Sequence, residues 1–145
     1  MTKYWDIDEG SVDSTTFFSM VHKYFSDATT IYIEGTSIEK DVIELYQRHV
    51  EDGDFLPSRQ TIWPRSKCFR CKLSEEFINE ISQLSQNHAE PELMDHLSVY
   101  KGGQAILEWH DAFSNAMLLS KSIPEQTIAA FSKELGLKYG EAKFS

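Results

Sequence analysis

Leu97-Ser98-Val99-Tyr100-Lys101-Gly102-Gly103-Gln104-Ala105-Ile106-Leu107-Glu108-Trp109-His110 is the stretch whose reading decides the fold. Two runs rich in β-branched, aliphatic and aromatic residues flank a glycine pair, which accepts the positive φ angles of a tight hairpin turn. With those glycines as the turn, Lys101 faces Gln104, Tyr100 faces Ala105, Val99 faces Ile106 and Leu97 faces Glu108. One further step sets Asp95 opposite His110. A loop of two or four residues keeps that pair on one face, whereas a three-residue bulged turn separates them.

Downstream, Ala116 to Lys121 adds a third strand to the meander. Ser122-Ile123-Pro124-Glu125 reads as a capping box with proline in the first turn. The last helix buries Ile128, Phe131 and Leu135, and Gly136 ends it with Leu137 folding back. Upstream, Asp13 or Ser14 caps a helix over 14–27 with Phe17, Val21, Tyr24, Phe25 and Ala28 at helical spacing. Thr29 to Glu34 alternates as a strand with Ile31 and Ile33 on one face, and Gly35 ends it. Ser37 caps a second helix with the stripe Ile38, Val42, Leu45, Tyr46 and His49, stopped by Gly53.

Residues 53–65, with Pro57 and Pro64, hold no sustained period, and loops of that length often carry function. Ser66 to Leu73 alternates again, with Phe69, Cys71 and Leu73 on one side and Cys68, Arg70 and Lys72 on the other. Ser74 then caps a third helix with Phe77, Ile81, Leu84 and His88 at helical spacing. Pro91 ends it and opens at most one short further turn. The order predicts the α+β class in one domain over 1–145. It would be a single mixed sheet of about five strands, with a C-terminal three-strand antiparallel meander, covered by about four helices.

A chain of 145 residues with 41% hydrophobic and 12% aromatic content has enough apolar material for its own core. No stretch approaches the ~20 apolar residues of a membrane span, and the acidic start lacks the basic, apolar pattern of a secretory signal. A cytoplasmic location is the expectation, with no membrane partner. The net charge of −9, from 23 acidic and 14 basic residues, disfavours a polyanion such as nucleic acid; it is first the balance of an ordinary soluble protein, and it also favours encounter with a basic protein.

The residue types that do chemistry crowd between His88 and Asp111. His88, Glu92 and His96 are metal ligands by type, but Pro91 interrupts the helix that a two-histidine motif needs, and no bound metal or other cofactor is expected. Glu92 and His96 stand at a spacing of four, able to face one another on a helix. The hairpin register nominates Asp95 and His110, with Glu108 nearby, as catalytic candidates. A carboxylate beside an imidazole orients a general base, yet no nucleophile or oxyanion group accompanies them. Cys68 and Cys71 form a C-x-x-C without a second ligand pair, and a strand points them to opposite faces, so a disulfide between them is disfavoured.

His22 and His49 read as core-edge histidines. Trp5, Trp63 and Trp109 read first as core or groove walls, and Trp63, with Arg59 and Arg65, supplies the exposed binding candidates in the Pro-flanked loop. No G-x-S-x-G, Walker A or dinucleotide fingerprint occurs. The leading expectation is a non-catalytic, acidic protein-binding module of the inhibitor or immunity type. The alternative is a small metal- or His/Asp-dependent enzyme using the His88 to Asp111 cluster.

Overall fold

The computed structural model describes residues 4–51, 67–113 and 115–142. Within them one antiparallel sheet carries five α-helices. The strands are β1 (Tyr4–Ile7), β2 (Thr30–Gly35), β3 (Lys67–Lys72), β4 (His96–Lys101), β5 (Gln104–Trp109), β6 (Met117–Ser120) and β7 (Tyr139–Glu141). The helices are α1 (Ser14–Tyr24), α2 (Lys40–Arg48), α3 (Glu75–Leu84), α4 (Glu90–Leu93) and α5 (Glu125–Leu135). The α+β class therefore holds. The sheet has seven strands in the order β3-β2-β4-β5-β6-β1-β7, and every pairing is antiparallel rather than mixed.

The two added strands are the terminal ones. Four residues including Asp6, and three including Gly140, show no usable alternation, and they become strands because tertiary partners complete them. Asp6 lies between Leu118 of β6 and Gly140 of β7. The outer edge of β3 is also covered: Glu51 N–H donates to the Arg70 carbonyl and Lys72 N–H to the His49 carbonyl, each at 2.9 Å.

The hairpin forms with Gly102 at φ 61, but its register corrects the expected one. Tyr100 does pair with Ala105; the next step, however, pairs Val99 with Leu107 and skips Ile106, which is the extra residue of a β-bulge. Ile106 and Leu107 are both buried, at 4% and 1% exposure. Strict alternation would have turned one of them away from the core. Burying such a side chain is worth about 1.5–3 kcal/mol, against about 1 kcal/mol for a forfeited ladder hydrogen bond. Burial wins, and every residue of β5 beyond Ile106 moves one place along β4.

One sheet face presents Ile7, Ile31, Ile33, Leu97, Val99, Leu107, Trp109, Met117 and Leu119 to the helices, all within a single buried cluster. On it α1 packs against both α3 and α5. Phe25 of α1 meets Phe131 of α5 edge-on at 5.0 Å, and Phe17 meets Trp109 at 4.9 Å. Tyr46 of α2 spans Phe69 and Phe77, and its buried hydroxyl donates to the Leu93 carbonyl at 2.8 Å. The alternate residues, among them Tyr32, Glu34, Cys68, Arg70, Ser98 and Glu108, occupy the other face.

Local signals set several helix ends. Asp13 caps α1 by accepting from Thr16 N–H, and Ser74 caps α3 by accepting from Phe77 N–H. Gly136 takes φ 75, with Gly136 N–H bonded to Lys133 and Leu137 N–H to Ser132, a Schellman stop. Three boundaries differ from expectation. The first helix ends at Tyr24, and Glu39 rather than Ser37 precedes α2. The capping box before α5 does not form, because the Ser122 hydroxyl bonds to that of buried Ser120 and Pro124 takes the cap position. Gly53, Pro57 and Pro64 lie outside the described residues.

Both cysteines are unbridged. Cys71 is fully buried in the core, its thiol pushed up to about 12 by burial first and by Glu51 second. Cys68 stands on the opposite face beside Tyr32, whose phenol is raised by its own burial and then by Cys68.

Candidate functional site

The histidine-rich stretch folds into two separate arrangements. His88 is not on a helix: α3 ends at Leu84, a 3-10 turn spans Ser85–Asn87, and His88 is extended at φ −134, ψ 146. Pro91 lies in the first turn of α4, which lets Glu92 reach back to Ala89 N–H at 3.3 Å. The same Glu92 oxygen accepts from His88 Nδ1 at 2.8 Å, and Asp41 in the first turn of α2 accepts from Nε2 at 2.9 Å. Ionised carboxylates only accept, so this arrangement favours the doubly protonated, imidazolium form of His88. The hydrogen bond to Asp41, and then that to Glu92, raises its pKa; in return His88 lowers that of Asp41. The expected Glu92–His96 pairing gives way to Glu92–His88.

His96 opens β4 and has the opposite chemistry. Its Nδ1 accepts from Asp111 N–H at 3.0 Å, which requires a lone pair there and places the proton of the neutral ring on Nε2. The bulge at Ile106 pairs Leu97 with Trp109, so the position level with His96 is His110. The two rings lie 5.7 Å apart, tilted by 59°.

Asp95 pairs with Thr36 rather than with His110. Its Oδ2 accepts from both the N–H and the hydroxyl of Thr36 at 3.0 Å, its N–H donates to the Glu34 carbonyl, and its carbonyl accepts from Ala112 N–H. The register that set Asp95 opposite His110 is thus replaced by a one-residue shift. Gly35 permits the close approach behind it, since a Cβ there would meet Ile38 at 2.8 Å and Asp95 N at 3.3 Å. Glu108 pairs with Ser98 and reaches Tyr100, whose phenol is raised by burial first and Glu108 second.

Between α4, the start of β4 and the β5–β6 turn lies a pocket of about 230 Å³ lined by Glu90, Pro91, Met94, Asp95, Asp111, Ala112 and Phe113. Its charged side chains are Glu90, Asp95 and Asp111, with no lysine or arginine in the lining. Asp111 and Phe113 both adopt left-handed backbone, at φ 51 and φ 70, a conformation costing an ordinary residue about 1–2 kcal/mol. Three fastenings hold the turn. His96 anchors Asp111 N–H, the Asp95 carbonyl anchors Ala112 N–H, and the Phe113 ring packs on Trp109 at 4.6 Å and Phe17 at 5.9 Å. Phe113 escaped the sequence reading because no glycine marks the left-handed positions; the aromatic following Trp109 at a spacing of four was the available signal.

A second cleft of about 420 Å³ runs between α2 and α3 and is lined by Asp41, Glu44, Leu45, Arg48, Glu80, Gln83, Leu84 and Asn87. Here Arg48 donates to Glu80 at 2.8 Å, and His49, packed edge-on to Phe77, bonds the other Glu80 oxygen. Arg48 first and His49 second hold the Glu80 carboxyl below its ordinary value.

His22 is exposed rather than at the core edge. Trp109 is core, its indole donating to the Asn115 carbonyl at 2.8 Å. Trp5 lies under the Lys121 ammonium at 3.7 Å. Arg59, Trp63 and Arg65 lie outside the described residues. His88, Glu92 and His96 do not converge, and among the described residues no group of three or more His, Cys, Asp or Glu is placed to hold a metal ion. His88 has both nitrogens committed as donors. A metal on Nε2 of His96 would need its other nitrogen to donate, not accept. No helix of the described residues is long and apolar enough to cross a membrane.

Comparison of the chain with family models, curated proteins and solved structures finds no match.

Proposed function

We propose that the chain is a non-catalytic binding module that meets a basic protein through the acidic pocket at the open end of the hairpin. The observation that carries this reading is the pocket's lining. Glu90, Asp95 and Asp111 line it together with Pro91, Met94 and Phe113, and no lysine or arginine is among its lining residues, a mix of carboxylate and apolar groups that suits a lysine or arginine side chain with its apolar stem. The net charge of −9 adds long-range attraction for the same kind of partner. An inhibitor or immunity-type role at a cytoplasmic location fits this chemistry, and no cofactor enters it.

Pull-down from the native host tests the reading, with wild type and a Glu90→Gln/Asp111→Asn variant side by side. Asparagine tolerates the left-handed backbone at position 111, so the variant removes charge without refolding the turn. A basic protein retained by wild type at low salt and lost from the variant supports the pocket. Equal retention by both places binding elsewhere.

A further inference from the structure

We propose that His88 and His96 are oppositely acting proton latches on the two walls of the acidic pocket: protonated His88 ties the start of α4 to α2, and neutral His96 ties down the left-handed Asp111–Phe113 turn. The geometry alone sets the two directions. His88 donates through both nitrogens to acceptor-only carboxylates, Asp41 at 2.9 Å and Glu92 at 2.8 Å, so losing its proton leaves one carboxylate facing a bare lone pair. His96 accepts the Asp111 N–H at 3.0 Å, so gaining a proton sets one N–H against another.

Imidazole is the side chain whose charge changes between about pH 5 and 8. By geometry, protonating both rings fastens one wall and releases the other. The Glu90 and Pro91 wall is held when the Asp111, Ala112 and Phe113 wall is loosened, and the reverse when both rings are neutral. Two backbone bonds resist full detachment of either wall. Glu39 N–H to the Glu92 carbonyl keeps α4 near α2, and Ala112 N–H to the Asp95 carbonyl keeps the turn near β4. The device therefore changes the looseness of the pocket's rim while the fold stays intact.

The surrounding charges bear on both latches. His88 is faced by Asp41 from α2 and Glu92 from α4, with Glu44, Arg48 and Glu80 further along the α2–α3 cleft. These are mainly acidic and favour the protonated ring, consistent with its raised pKa. His96 is faced by Glu34 across the ladder in β2, by the His110 ring at 5.7 Å and by Asp111, with Cys68 of β3 one strand beyond Glu34. The proposal concerns the protein alone and stands whatever the pocket binds.

Imidazole nitrogen shifts of the ¹⁵N-labelled wild-type protein decide the two proton states. At neutral pH His96 should show the Nε2–H tautomer, and below the His88 transition His88 should show two protonated nitrogens. Amide exchange, corrected for its intrinsic pH dependence, then reads the walls. Asp111 N–H should exchange roughly fivefold faster once His96 is protonated, as expected for one ordinary hydrogen bond lost; Ala89 N–H, whose acceptor is Glu92, reports the loosening of the first turn of α4 and should exchange faster by a smaller factor once His88 is deprotonated. In His96→Gln an amide oxygen can accept from Asp111 N–H without titrating, so the Asp111 response should disappear while that of Ala89 remains. An Nδ1–H tautomer at His96, a neutral His88 at about pH 6, or an Asp111 response that persists in His96→Gln would overturn the proposal. The nitrogen shifts decide even if a variant fails to fold.

Discussion

At the open end of the hairpin Asp95, His88 and His96 are each fixed by a partner on a different element. Asp95 caps Thr36 at 3.0 Å, His96 and His110 stand together at 5.7 Å, and His88 is bound between Asp41 and Glu92. Residue types were legible, since carboxylates and imidazoles do pair here. Partners were not, because each is chosen by a backbone geometry several elements away. Glu80 offers a test at this scale. Arg48 and His49 hold its folded-state pKa below the ordinary glutamate value of 4.5, so its contribution to stability is present above about pH 4.5 and fades as pH falls through the folded value. Chemical denaturation should show Glu80→Gln less stable than wild type at pH 7, with the gap closing in acid. A gap independent of pH would mean that shape rather than charge matters there. Part of this pair is solvent-exposed, so the effect should be modest.

Element-scale signals divide by their origin. Ser74, Asp13 and Gly136 were readable because capping and left-handed termination are local chemistry, and each has the predicted role. Terminal strands β1 and β7 were not, since four and three residues carry too little pattern and owe their state to neighbours. The bulge was half legible. Adjacent Ile106 and Leu107 already break strict alternation, and reading both as buried would have given the correct register. Replacing either with alanine should therefore cost about 2–5 kcal/mol in urea unfolding, whereas a regular strand predicts a large loss at only one of the two. Gly136→Ala should cost about 1–2 kcal/mol by forcing a Cβ into φ 75. A neutral result would show that the Schellman turn at the end of α5 can relax.

For the whole molecule, the hairpin and helical stripes conveyed the α+β class, while the completeness of the antiparallel sheet came from pairings that no local window contains. The account's central claim is that an acidic pocket at the end of that hairpin receives a basic protein. Screening distinguishes this from apolar docking, because added ions shorten the reach of charge to about 8 Å at physiological strength and leave hydrophobic contact largely intact. Pulled-down partner should first be purified, so that affinity is measured between two defined proteins. The most direct measurement is its dissociation constant by titration calorimetry at about 50 mM and about 300 mM salt, with wild type and with Glu90→Gln/Asp111→Asn. The account predicts binding at least roughly tenfold weaker at the higher salt, with a shallower salt dependence in the variant. An affinity unchanged by salt, or a variant that binds as wild type does, would contradict it.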